Sequence, residues 1–190
     1  MGNPANIDYS NPIGVLKQDV EEFCSAPDQS TVYDAIIIGV GSVGSAACYH
    51  LGKAGHKVLG IEQFGLSHEQ GSHSGQTRIY RKAYFEHPDY VPLLERSYKN
   101  WEALEQEAEV KLLNRCGLAY IGPKDGELVS GVQRSSELYS IPVEDDKSDN
   151  SVRFDQFSVP NDSEFLFEAN AGFVHPERAI LTYCGMALKH

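Results

Sequence analysis

Cysteine is scarce in this chain, and positive charge is in deficit. The four cysteines (Cys24, Cys48, Cys116, Cys184) show no paired spacing. That excludes a zinc ribbon and a disulfide framework, and it fits reduced thiols inside a cell. Lys and Arg number 16 against 27 Asp and Glu, a formal net charge of −11. This balance argues against general nucleic-acid binding and against docking on anionic lipid. No apolar run reaches the roughly 18 residues of a membrane span. The N-terminus shows no basic, Arg-rich or apolar leader. Met1-Gly2-Asn3-Pro4-Ala5-Asn6 lacks the Ser or Thr of a myristoylation signal, and Leu188-Lys189-His190 is not a standard peroxisomal tail. Internal repeats and low-complexity tracts are missing as well.

What is present suits an ordinary globular chain. Hydrophobic residues make up 41% of the 190, and a chain of this length buries about 70% of its unfolded surface on folding. Wholesale disorder is therefore excluded. Residues 1–32 are polar and acidic and read as a flexible N-terminal extension, with a short helix around Val15–Phe23. Ala35-Ile36-Ile37-Ile38 is a short β-branched run ending at glycine, the pattern of a strand buried on both faces. Ser42 to about Ala54 reads as a helix stopped by Gly55, and Lys57 to Glu62 as a second strand. The expected geometry is a parallel β-α-β unit. Further along, Tyr90 to about Val110 is an amphipathic helix with Asp89 as its cap. Leu112–Asn114 and Leu118–Ile121 read as strands, Gly126–Tyr139 as a helix and Glu144–Asn150 as an acidic loop. Phe165–Glu168 and Gly172–Val174 read as a tight hairpin, and Pro176–Lys189 as a last helix.

The chemistry starts at Gly39-Val40-Gly41-Ser42-Val43-Gly44, which lies between strand and helix. Gly39 permits the tight turn, Gly41 lets a pyrophosphate approach the backbone, and Gly44 lets the helix pack on the strand. Phosphates then sit on the unpaired N–H groups and the positive end of the helix. Glu62 ends the second strand, 18 residues after Gly44; a carboxylate there accepts from a ribose 2′-OH and repels a 2′-phosphate. Strand, box, helix, strand and terminal acid in register point to dinucleotide binding, with a purely structural glycine turn as the alternative. The box itself does not choose between FAD and NAD, and it lacks the Lys-Ser/Thr ending of a P-loop.

A second segment follows that strand: Gly71-Ser72-His73-Ser74-Gly75-Gln76-Thr77-Arg78-Ile79-Tyr80-Arg81-Lys82-Ala83-Tyr84. Arg78 and Arg81 carry the planar fork that suits a carboxylate or a flat ring; the alternative is a solvated basic face paired with the acidic body. His68 and His73 lack metal-ligand spacing, and no metal site is expected.

The glycine box, Glu62-Gln63-Phe64, the Gly71–Tyr84 run and the following Trp101-containing helix resemble the monomeric sarcosine oxidase family, with closest similarity to its peroxisomal sarcosine/pipecolate oxidase branch. The likeness is dense over about residues 33–125 and thin to the end, where Asn170-Ala171-Gly172-Phe173-Val174 resembles the family's strand before a long helix. It implies an α/β fold: a Rossmann-like FAD-binding β-α-β unit with part of an α+β substrate domain. The expected division is 1–32 as extension, 33–84 as FAD-binding unit with a flavin and substrate loop, and 85–190 as a partial substrate domain whose last helix returns to the FAD domain. The implied activity is oxidation of an N-methyl or cyclic secondary amino acid by hydride transfer to FAD, with dioxygen reduced to hydrogen peroxide. The compartment implied is peroxisomal or cytoplasmic.

The cofactor-binding candidates are Gly39, Gly41, Ser42, Val43, Gly44, Glu62 and Gln63, to which the resemblance adds Ser72, His73, Thr77 and Arg78. By the same match Arg78 lies against the flavin ring and Arg81 binds the substrate carboxylate, these two being the catalytic candidates. The chain has about half the usual family length. The resemblance places a flavin-linking cysteine and an oxygen-activating lysine in the other half, and none of the four cysteines matches that position. Two alternatives therefore stand beside the oxidase: a truncated, inactive fragment of one, and an NAD-dependent dehydrogenase.

Overall fold

The computed structural model describes residues 12–22, 24, 26–27, 30–145 and 157–190. The chain forms two compact units. One is built from the chain up to Arg78 together with His175–His190; the other is Ile79–Val174.

In the first unit, α1 (Pro12–Glu21) precedes β1 (Ala35–Ile38), α2 (Ser42–Lys53) and β2 (Val58–Ile61), and α5 (Pro176–Lys189) returns to it. β1 and β2 pair in parallel, with Ala35 opposite Val58 and Ile38 opposite Ile61. The pairing is set at one end by Asp34, whose carboxylate accepts the Lys57 N–H at 2.8 Å. At the other end the Gly39 N–H donates to the Ile61 carbonyl at 2.8 Å. Small residues along α2 admit α5, and the Tyr49 and Tyr183 rings meet at 5.5 Å. Val20, Val40, Leu66, Ile180, Leu181 and Cys184 form the core.

β1 departs from the sequence expectation of a strand buried on both faces. Its exposure alternates, and Ile36 and Ile38 are 57% and 87% exposed. α2 packs on one face of a two-stranded sheet, and the period of two turns Ile36 and Ile38 to the other face.

The second unit contains β3 (Arg78–Tyr80), which starts at the unit boundary, α3 (Val91–Ala108), β4 (Leu113–Asn114), β5 (Leu118–Pro123), α4 (Glu127–Tyr139), β6 (Glu144–Asp145), β7 (Ser163–Glu168) and β8 (Gly172–Val174). Two three-stranded sheets result, in the orders β3-β8-β4 and β5-β7-β6. The expected hairpin of Phe165–Glu168 with Gly172–Val174 does not form. β7 pairs with β5 and β6, and β8 with β4, so the short connection passes the chain from one sheet to the other. Glu144 and Asp145, expected in a loop, pair with Phe167 and Leu166; the rest of that acidic stretch lies outside the described residues.

Asp89 does not cap α3. A 3-10 turn over Pro88–Tyr90 precedes the helix, and there the His87 side chain accepts the Asp89 N–H. Ala83, Val91, Tyr120, Val129, Val132, Ile141 and Leu166 form the core of this unit. No helix among the described residues is long and apolar enough to cross a membrane.

Candidate functional site

The glycine box has the shape its spacing predicts. Gly39 adopts a positive φ of 88° where β1 turns into the loop. At Gly44 a Cβ would stand 1.8 Å from the Gly39 carbonyl oxygen, so only glycine lets α2 start this close to the turn. Gly41 is the extended residue before α2, and no side chain caps the helix. The first-turn N–H groups of Ser42, Val43 and Gly44 therefore lack the partner that a capping side chain supplies elsewhere. Ser42 and Val43 are exposed.

Glu62 folds back on this loop. One carboxylate oxygen, Oε2, accepts the Val40 N–H at 2.8 Å. The other, Oε1, accepts from the Gln63 and Phe64 N–H groups at 2.8 and 3.3 Å. His68 Nε2 stands 3.3 Å from the same Oε1. Burial opposes ionisation of this carboxyl, but the N–H groups of Val40, Gln63 and Phe64, with His68 beside them, outweigh it and hold the pKa below the ordinary glutamate value. The Gln63 side chain contributes nothing to this network, and its backbone does the bonding.

His73 is 4% exposed, and its Nε2 has no hydrogen-bond partner. The ring lies under the glycine loop: a Cβ on Gly41 would stand 3.4 Å from Nδ1, and one on Gly71 would meet the ring at 2.6 Å. A buried imidazole nitrogen left unpaired next to the glycine turn is costly unless a ligand completes it. Ser45, on the first turns of α2, is likewise fully buried with Oγ unpartnered. Ser72, Thr77 and Arg78 are exposed. The Arg78 guanidinium donates to the Ser72 carbonyl, closing the loop on itself. These observations fit a dinucleotide: free helix N–H groups, an ionised carboxylate at the strand end, and an orphaned imidazole beside the turn.

Arg81 belongs to the second unit. Its guanidinium pairs with Glu86 at 3.1 Å, and its side chain is 20% exposed. The Tyr84 and Phe85 rings flank it at 4.9 and 5.2 Å. Nε of Arg81 is buried and has no partner. Sequence reasoning missed what holds this segment. The Glu168 carboxylate, almost wholly buried, accepts the Lys82 N–H at 2.8 Å and the Ala83 N–H at 3.1 Å. The Tyr120 hydroxyl donates to it at 2.8 Å. Burial and the Glu168 charge push the Tyr120 phenol far above its ordinary pKa, so it stays a donor. The available signal was an acid ending an otherwise apolar strand run, Phe165–Glu168.

All four cysteines are free, two of them exposed (Cys24, Cys116) and two buried (Cys48, Cys184). Burial, with Cys48, Cys24 and Glu62 nearby, raises the Cys184 thiol to about 12, so it is no nucleophile at neutral pH.

The fold is α/β, and the comparisons define its class as that of FAD-dependent oxidoreductases. Residues 34–190 match the family described as FAD dependent oxidoreductase, and the chain belongs to that family. It is 39% identical over 161 residues to monomeric sarcosine oxidase of Streptomyces avermitilis, covering 84% of this chain and 42% of that protein. It is 40% identical over 151 residues to N-methyl-L-tryptophan oxidase of Yersinia pestis, covering 79% and 41%. Among solved structures, NikD, an unusual amino acid oxidase essential for nikkomycin biosynthesis, superposes with a TM-score of 0.71 at 26% identity, over 83% of this chain and 41% of that one. L-proline dehydrogenase from P. horikoshii shares the fold at a TM-score of 0.65 and 19% identity. The chain thus spans about two fifths of the length of these relatives.

Proposed function

We propose that this chain is the FAD-holding and substrate-carboxylate-binding portion of an oxidase for secondary amino acids of the sarcosine or pipecolate type. The observation that carries the reading is the glycine turn with Glu62 bonded to Val40 and the unpaired, buried His73 nitrogen beside Gly41. When bound, FAD supplies the two-electron acceptor for the carbon next to the substrate nitrogen and passes the electrons to dioxygen, giving hydrogen peroxide.

The residues of this chain bind and orient. The N–H groups of Ser42, Val43 and Gly44 hold the pyrophosphate, and Glu62 takes a ribose hydroxyl. Ser72, His73 and Thr77 line the flavin, and Arg78 places a fixed positive charge where negative charge develops on reduction. Arg81 binds the substrate carboxylate. Its donation to the Glu86 carboxylate supports this, since the group engages a carboxylate from this position, and its Nε has no partner of its own. A two-point carboxylate contact fixes the substrate in one orientation and removes part of the entropic barrier. N-methyl amino acid oxidation by relatives at 39–40% identity supports the substrate class.

A second reading is favoured by the open sheet face at Ile36 and Ile38: the 190 residues bind FAD but need further polypeptide to turn over. One preparation tests both. Titration with FAD should quench flavin fluorescence and shift the visible flavin band, and a peroxide assay with sarcosine and pipecolate then separates enzyme from binding portion. A spectrum and fluorescence identical to free FAD at all protein concentrations removes the FAD reading, and tight NADH binding in its place restores the dehydrogenase alternative.

A further inference from the structure

Gly131 and Ser135 stand four residues apart on α4, so they share one face of the helix. That face meets the segment just after Arg81. The Ser135 hydroxyl, fully buried, donates to the Tyr84 carbonyl at 2.6 Å. A Cβ on Gly131 would stand 2.2 Å from the Phe85 carbonyl oxygen. A glycine inside a helix weakens it relative to alanine, and here the close approach of the Phe85 backbone accounts for it. None of the roles above uses either residue.

Other elements hold the same segment. Glu168, at the end of β7, accepts the Lys82 and Ala83 N–H groups, and the Tyr120 hydroxyl of β5 reaches the Ala83 carbonyl at 3.3 Å. Backbone groups from Lys82 to Phe85 are thus fixed in succession, and all these residues belong to the second unit. What the fixed backbone carries is a pair of rings about one guanidinium. Tyr84 and Phe85 stand 4.9 and 5.2 Å from that of Arg81, and the Tyr84 ring is itself backed by Tyr90 at 5.1 Å. Nη2 of Arg81 donates to Glu86, and its buried Nε has no partner. An arginine side chain has several rotatable bonds, and the cost of ordering it weakens ligand binding unless it is ordered beforehand.

We infer that Gly131 and Ser135 are positioning residues for carboxylate binding. The α4 seat fixes Tyr84 and Phe85 about the Arg81 guanidinium before a substrate arrives, and this order raises the affinity for the carboxylate of an amino acid. The inference rests on the reading of Arg81 as the carboxylate-binding group, and it assigns part of that affinity to a helix outside the Arg81 segment.

The test uses the full 190-residue chain labelled with nitrogen-15, with L-pipecolate as probe and piperidine as the same ring without a carboxylate. The signal is the Arg81 Nε–H resonance, assigned by its loss in Arg81→Lys. In the wild type L-pipecolate should move this resonance to saturation, and piperidine should not. Ordering one flexible side chain beforehand is worth about two- to tenfold in affinity. Ser135→Ala should raise the Kd for L-pipecolate by about that factor. It should also move the resonance of the unliganded protein toward that of free arginine, because the rings no longer keep their places. Gly131→Ala, whose methyl displaces Phe85, should do both. Ser130→Ala removes a different α4 hydroxyl, one that donates to the Gly126 and Glu127 carbonyls at the start of the same helix, and should match the wild type in both.

Should Ser135→Ala lose its native circular dichroism, Ser135→Cys decides in its place, with similar volume, a weaker donor and the same expected direction. A folded Ser135 variant that binds L-pipecolate as tightly as the wild type overturns the seat while leaving Arg81 in its role. A wild type whose Arg81 resonance ignores L-pipecolate removes Arg81 as the carboxylate-binding group, and the role of the seat with it.

Discussion

Two carboxylates, one in each unit, are held in different ways, and each makes its own prediction. Glu168 accepts two backbone N–H groups and a phenol inside the second unit. Glu168→Ala leaves the buried Ala83 N–H and the half-buried Lys82 N–H without a partner, while the Tyr120 hydroxyl keeps the Ala83 carbonyl at 3.3 Å, so at roughly 1–3 kcal/mol for each unpaired donor the loss should be about 2 kcal/mol or more in urea unfolding. Tyr120→Phe removes only one donor and should cost about 1 kcal/mol. A Glu168→Ala protein within 1 kcal/mol (about fivefold in equilibrium) of wild type would contradict the buried bonding described here. Glu62 is different because its native pKa is lowered. Its ionised form is favoured more in the folded chain than in the unfolded one. The stabilisation is therefore complete above the unfolded glutamate pKa, near 4.3, and is lost as pH falls through the lower native value. The stability gap between wild type and Glu62→Gln should be flat near neutrality and close below about pH 4.

At the scale of elements, the first unit depends on a helix from the far end of the chain. α5 buries Ile180, Leu181 and Cys184 against Val20, Val40 and Leu66. Leu181 has no exposed surface, and Leu181→Ala should destabilise this unit by about 2–5 kcal/mol. Urea unfolding followed through tyrosine fluorescence or circular dichroism reads the effect, and an unchanged midpoint would remove α5 from the core.

This scale also shows what a single sequence could convey. β1, α2, β2 and α5 were legible because each is announced locally: a β-branched run, a glycine at each turn, a proline at a helix start. The glycine box was legible for the same reason, since Gly39 and Gly44 answer constraints within five residues of themselves. Strand partners were not. β7 and β8 lie close in sequence and look like a hairpin, yet each is paired to strands tens of residues away. Glu168 was hidden for the same reason, its partners Lys82 and Ala83 lying 86 and 85 residues earlier.

At the scale of the whole molecule, the β1–β2 sheet presents an open apolar face. Ile38 and Ile61 are register partners, so their side chains lie on the same face, and Ile36 lies two residues along it. All three are substantially exposed. A contiguous apolar strip on a sheet with unpaired edges is a template for association with another chain. Fully burying an isoleucine side chain gains about 1.5–3 kcal/mol. Replacing Ile36 and Ile38 by threonine keeps the β-branched shape that suits a strand while removing much of that gain. The double variant Ile36→Thr/Ile38→Thr should therefore weaken self-association in sedimentation velocity by about tenfold or more and bind less of a hydrophobic dye. Its circular dichroism and its response to FAD should stay as in the wild type, because neither side chain belongs to the glycine turn or to the Glu62 network. Equal self-association of the two proteins would show that another surface drives it.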